Sequence, residues 1–198
     1  MAAATSTRAV TPAFTLVAVV STDGFIGRYS GHDPPAWASA EEQIHFAALV
    51  DAADWSFMGR VTHERAPRAS RRRVVFSRRE ERPRWANPNQ LFVDPERTPL
   101  ERVSELLRPV REPRHCLVLG GTGVHDWFLA RSRIDRVVLT TEPVSFGAGM
   151  PLFTDQPIAG PVSLLEDRGF VRQSMRLLND RGTRLETYGR AAPAVASP

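Results

Sequence analysis

The sequence predicts an α/β chain: a mixed, mostly parallel central sheet flanked by helices, with a C-terminal β-hairpin. Three observations predict it. Apolar runs of strand length alternate with segments that carry helix-start signals, the pattern of strands joined by crossover helices. Two of those runs, 54–58 and 117–119, break at glycine (Gly59, then Gly120-Gly121) and pass directly into helical sequence. A turn signature, Asn179-Asp180-Arg181-Gly182, separates two late strand-like stretches. With 198 residues and 42% hydrophobic content, the chain suits one compact domain. The domain is expected over 13–189, between Ala-, Ser-, Thr- and Pro-rich tails at 1–12 and 190–198 that have little to bury.

Residues 14–20 form a continuous apolar run, as expected of a central strand covered on both faces. Asp23-Gly24 makes a turn before Phe25-Ile26-Gly27, and 28–36, with Gly31 and Pro34-Pro35, reads as a loop placed to close over a ligand. Ser39-Ala40-Glu41-Glu42 has capping-box spacing, so a helix should run from a Ser39 cap to about Ala52. A short strand at 54–58 leads through Gly59-Arg60-Val61-Thr62 into a second helix, and Arg73 to Arg78 is a strand ending in the Ser77 hydroxyl and the Arg78 guanidinium. After a short strand at 91–93, Thr98-Pro99-Leu100-Glu101 supplies an N-cap, a Pro at N1 and a Glu at N3 for a helix to about Leu107. A strand at 134–141, a loop at 146–153 and the hairpin complete the chain.

Composition narrows the chemistry. All 26 basic residues are Arg, which excludes lysine-based catalysis and leaves guanidinium groups for phosphate recognition. Eight of them lie between Arg68 and Arg84, where Glu80, Glu81, Pro83 and few aromatics mark a mostly solvated face rather than a nucleic-acid surface. One or two of these are expected to meet a ligand phosphate. The net charge of +4 demands no bulk affinity for nucleic acid. A single cysteine, Cys116, excludes an internal disulfide and cysteine metal sites and fits a reduced, cytoplasmic setting. The apolar segment 13–20 is too short to span a membrane, so no membrane partner is expected. No metal is expected either.

The central unit is Leu117-Val-Leu-Gly-Gly-Thr-Gly-Val-His-Asp-Trp-Phe-Leu129. A strand feeding a glycine turn and a helix N-terminus makes an anion cradle, because bare backbone N–H groups approach the ligand and the helix dipole favours negative charge. A plain structural turn is the alternative. Glu42 is the candidate catalytic carboxylate. In an apolar cleft its pKa would rise, letting it hydrogen-bond a heterocycle and deliver a proton; its alternative is to cap its own helix.

Together these pieces resemble the dihydrofolate reductase superfamily, including the reductase domain of the riboflavin-biosynthesis deaminase-reductase, from about Phe14 to Tyr188. Leu16-Val-Ala-Val-Val-Ser-Thr-Asp-Gly-Phe-Ile-Gly27 looks like the family's first strand and active-site loop, which implies that Val19 and Ile26 hold the nicotinamide carboxamide through their backbone. Met58-Gly-Arg-Val-Thr62 matches a Gly-Arg-x-Thr turn, so Gly59, Arg60 and Thr62 would face cofactor phosphates. Phe76-Ser-Arg78 matches the strand end that receives an adenosine 2′-phosphate, implying NADPH as cofactor bound by Ser77 and Arg78. Gly120, Gly121, Thr122, Gly123 and Val124 correspond to the glycine pair, often joined by a cis peptide, and the helix over the pyrophosphate. Trp37, Glu42 and Phe46 have the spacing folate reductases use on the substrate side, and Thr140 matches a strand threonine that supports the carboxylate.

Two departures stand out. His125 replaces a common tyrosine near the nicotinamide, and the riboflavin branch's Asp-x-Pro-x-Leu-x-Arg segment is absent, as are a deaminase domain and its zinc motif. The resemblance implies a dihydrofolate reductase-like three-layer fold and a stand-alone reductase that passes hydride to a small-molecule heterocycle, a pterin or a riboflavin-pathway pyrimidine. A homodimer is consistent with the riboflavin branch. A catalytically silent NADP-binding or interaction protein of the same fold is the main alternative, and an Arg-rich RNA-binding protein a more distant one. If Arg78 meets a 2′-phosphate, Arg78→Ala weakens NADPH far more than NADH in a binding titration; equal losses contradict that role.

Overall fold

The computed structural model describes residues 11–191. In chain order it contains β1 (Ala13–Ser21), β2 (Phe25–Gly27), a 3-10 turn (Pro34–Ala36), α1 (Ala40–Ala52), β3 (Trp55–Gly59), α2 (Arg60–Arg65) and β4 (Arg73–Phe76). There follow β5 (Arg84–Asn87), β6 (Gln90–Val93), α3 (Leu100–Leu107), β7 (His115–Gly120), α4 (Thr122–Ala130), β8 (Arg136–Glu142), β9 (Met150–Pro151), α5 (Pro161–Asp167), β10 (Phe170–Leu177) and β11 (Arg184–Arg190). The tails expected at 1–12 and 190–198 lie almost wholly outside the described residues, although β11 keeps Arg190 in the sheet.

Nine strands form one sheet in the order β10-β11-β8-β1-β7-β3-β4-β6-β5, and β2 pairs with β9 separately. The run from β8 to β6 is parallel throughout, while β11, β10 and β5 are antiparallel additions at the two edges. The alternation along β1 explains its unbroken apolar sequence: Phe14, Leu16 and Val20 enter one core and Val17 the other. The first core is closed by α3, α4 and α5 through Val103, Leu107, Val124, Phe128 and Leu165, and the second by α1 through Phe46, Leu49 and Val50. Helices on both faces of a parallel run make the expected three layers.

Several local expectations shift. Pro99, not Thr98, occupies the N-cap of α3, which has no side-chain cap; Thr98 is instead buried, its amide bonded to Asp94 O at 2.9 Å. Strand β9 lies within the expected loop 146–153, and β5 and α5 are elements the expected pattern does not include. The edge strand β5 half-buries one face, where Trp85 packs 6.1 Å from Trp55, while Arg84 on the exposed face stacks 4.7 Å over Phe92. For α5 the signal was a Gly160 with φ +98° followed by Pro161 at the first helical position.

Phe128 is fully buried in α4, with ring centroids 5.0 Å from Phe14, 5.5 Å from Phe57 and 5.8 Å from Phe76. Strands β1, β3 and β4 thus meet α4 on one ring. Phe128→Ala is expected to cost about 4 kcal/mol of unfolding free energy, read as a lower denaturant midpoint with unchanged slope.

Candidate active site

Because the central strands are parallel, their carboxyl ends share one edge of the sheet. The neighbouring crossovers pass over opposite faces, α1 after β1 and α4 after β7, which opens a crevice at that edge. The cleft there has a volume of about 1340 Å³. Val19, Ile26, Glu42, Phe46, Gly59, Arg60, Thr62, Ser77, Arg78, Gly121, Thr122, Gly123 and Val124 all line it.

Its floor on one side is the glycine turn. The Gly120–Gly121 peptide is cis and Gly120 has φ +92°. A Cβ on Gly120 would lie 2.8 Å from the His125 ring, so glycine is required for packing there. A Cβ on Gly121 or Gly123 meets nothing within 4 Å. These two glycines leave the start of α4 bare toward the cleft, which suits a diphosphate approaching backbone amides. Thr122 contributes differently from its expected role, because its hydroxyl donates to Pro151 O at 2.6 Å and leaves only its backbone to a ligand. The second glycine turn opens a helix of only six residues, and the Arg60 guanidinium is bonded to both Glu64 oxygens at 2.6 and 2.7 Å rather than standing free. Ser77 is buried, its amide bonded to Val93 O, and its hydroxyl accepts from Arg79 N at 3.4 Å. Arg78 and Arg79 are exposed beside it at the mouth of the cleft.

The loop 28–36 does lie across the cleft: a Cβ on Gly31 would meet Arg65 Nε at 2.8 Å. Its root is clamped by Asp23, which accepts from Ser21 Oγ, Ser145 Oγ, Phe146 N and Gly147 N. Burial raises the Asp23 pKa, but these four donors outweigh it and hold the carboxyl well below its usual range. Trp37 does not line the cleft. The 3-10 turn at Pro34–Ala36 carries it behind the loop, where its ring packs edge-on to Phe146 at 5.0 Å and against His32 at 6.3 Å.

Glu42 is 3% exposed and reaches the cleft beside Phe46. Ser39 caps α1 as expected, accepting from Glu42 N at 3.3 Å. The reciprocal half of the capping box is not made. Glu142, at the end of β8, takes the Ser39 amide at 2.8 Å, so the Glu42 side chain is free of its helix end and, among the described residues, accepts from Gln43 Nε2 alone. Burial first, then the nearby Glu142 charge, pushes Glu42 up to about 7, against a smaller opposing effect of Gln43. Thr140 is buried on β8, but no hydrogen bond joins it to Glu42 among the described residues; Gln43 holds the carboxyl instead. Gln43 and Glu142 were missed in the sequence reading because neither belongs to a local motif.

His125 is a packing residue. It is 1% exposed, its Nδ1 lies 3.1 Å from Leu152 O and so carries the hydrogen, and burial pushes it down to about 4, leaving it neutral. Beyond Glu42, the cleft is lined by Arg65, Arg68, Arg71 and Arg73; Arg71 pairs with Asp51 and the buried Arg73 bonds Ala66 O at 2.8 Å. Among the described residues no cluster of His, Cys, Asp or Glu is arranged to hold a metal, and no helix is long and apolar enough to cross a membrane.

Two solved structures share this architecture. A protein assigned to riboflavin biosynthesis from Shewanella sp. PV-4 is 21% identical with a TM-score of 0.63, over 91% of this chain and 99% of that one. A dihydrofolate reductase from Enterococcus faecalis, complexed with NADP(H) and RAB-propyl, is 16% identical with a TM-score of 0.61, over 91% of this chain and 97% of that one. The fold is therefore dihydrofolate reductase-like. A search of curated proteins finds no match. A family model described as the RibD C-terminal domain matches residues 12–177, most of the folded chain, and the protein belongs to that family.

Proposed function

We propose that this chain is an NADPH-dependent reductase acting on a planar heterocycle of the pterin or riboflavin-pathway pyrimidine kind. The observation that carries the reading is Glu42: a buried carboxyl, released from its helix end, pushed up to about 7 and facing the same cleft as the bare glycine turn. The residues present fit a dinucleotide. Gly121 and Gly123 leave room for the diphosphate against the start of α4, and Ser77, Arg78 and Arg79 offer a hydroxyl and two guanidinium groups to a 2′-phosphate. When bound, NADPH supplies the hydride.

The protein's own work is to bind, orient and protonate. Backbone at Val19 and Ile26 borders the cleft where a carboxamide would be held, and Phe46 offers an apolar face to a flat ring. Loop 28–36 excludes water over both. Glu42, carrying its proton near neutral pH, hydrogen-bonds the ring and gives up that proton as the heterocycle is reduced. Arg65 and Arg68, exposed along the far lining, offer cationic donors that the absent Asp-x-Pro-x-Leu-x-Arg segment would otherwise supply. That favours a pyrimidine bearing an anionic ribose phosphate over a neutral pterin.

Thermal-shift titration with NADPH and NADH at matched concentrations tests the cofactor first, since a ligand of the native state raises apparent stability by mass action. An NADPH-selective rise is expected, and no rise with either overturns the reading. NADPH binding without turnover of any pterin or aminopyrimidine would mark a silent relative. With a turned-over substrate, the rate should fall as pH rises through about 7, where Glu42 loses its proton. Glu42→Gln should keep NADPH affinity, lower turnover at least tenfold (about 1.4 kcal/mol or more of barrier) and abolish that pH limb.

A further inference from the structure

Glu42 is not the only buried carboxyl at this end of the sheet. Glu142 ends β8, is 3% exposed, and meets hydrogen-bond donors alone. Its Oε1 accepts from Ser39 N at 2.8 Å and Ser39 Oγ at 2.7 Å, and its Oε2 from Thr183 Oγ1 at 2.7 Å. The direction of the hydroxyl hydrogens follows from their other partners. Ser39 Oγ already accepts from Glu42 N, and Thr183 Oγ1 already accepts from Asn179 Nδ2 at 2.9 Å, so both hydroxyls point their own hydrogen at Glu142.

Three donors thus converge on the Glu142 carboxyl, and no cation is paired to it among the described residues. It sits at the N-terminus of α1, where the helix dipole favours negative charge, and one serine separates it from the Glu42 backbone. Other charged groups nearby face elsewhere: Glu41 bonds Asn179 and Arg181, and His45 faces Arg176. On Glu42 itself act the Gln43 amide from its own helix and the Glu142 charge from β8.

We propose that Glu142 is a positioning residue for proton delivery: locked by Ser39 and by Thr183 of the C-terminal hairpin, its negative charge keeps the proton on Glu42 between turnovers. This rests on Glu42 being the proton donor. The hairpin, distant in sequence from the cleft, thereby takes part in setting the protonation of the site. An ordinary capping residue would stabilise α1 without affecting which pH empties Glu42.

The test is a carbon-13 NMR titration of the Glu42 carboxyl in ligand-free protein, assigned by its loss in E42Q. Two neutral variants, E142Q and E142T, guard against one failing to fold, and E142D restores the charge. The Glu42 midpoint should fall by about one pH unit in either neutral variant and stay near the wild-type value in E142D. An unchanged midpoint in a folded neutral variant overturns the proposal. The alkaline limb of the turnover profile should move with the titration; a titration shift without that movement removes Glu142 from proton delivery. Absence of turnover in wild-type protein, with the titration shift present, counts instead against the reductase reading.

Discussion

Six parallel strands, β8 through β6 in spatial order, end on one edge of the sheet, and the glycine turns, Ser77 and Arg78 hang from that edge. Parallel pairing forces each connection to cross a face of the sheet, so strand ends and helix starts converge at one side. Strand β1 lies between β8 and β7, and its following helix and that of β7 take opposite faces. The glycine turn and Glu42 consequently approach one crevice from its two sides, although nearly eighty residues separate them in sequence.

Hydrogen-bond accounting decides what Glu42 can do. A capping box would have used its carboxyl to satisfy the Ser39 amide, as local spacing suggests. Glu142 satisfies that amide from another strand, and the Ser39 and Thr183 hydroxyls donate to the same carboxyl. Glu42 is left buried with one amide partner and a neighbouring negative charge. The cap of α1 and the chemistry of the cleft are therefore one network, and the C-terminal hairpin belongs to it through Thr183 and Asn179.

The cleft combines several guanidinium groups with one buried carboxyl. Arg78, Arg79, Arg65 and Arg68 line it together with the buried Glu42 and the apolar Phe46. Arginine carries every basic position in this chain, so these groups present planar donors suited to phosphate oxygens. The neutral His125 beneath Gly120 adds shape without charge.

By itself the sequence determined the layered α/β class, the central strand, the helix opened by Ser39, the hairpin at 179–182 and the glycine turn. Each rests on short-range physics: apolar period, a cap one turn from its amide, or a backbone that only glycine can adopt. Most of the site residues it singled out line the cleft, because strand ends and glycine turns mark that edge locally. Tertiary structure alone decided the rest. It turned Trp37 behind the loop, tied Arg60 to Glu64 and the Thr122 hydroxyl to Pro151, left Thr140 without a bond to Glu42, and brought Glu142 to Ser39 across 103 residues. Those outcomes depend on which donor and acceptor the packed chain places within 3 Å of each other, and no local spacing encodes that.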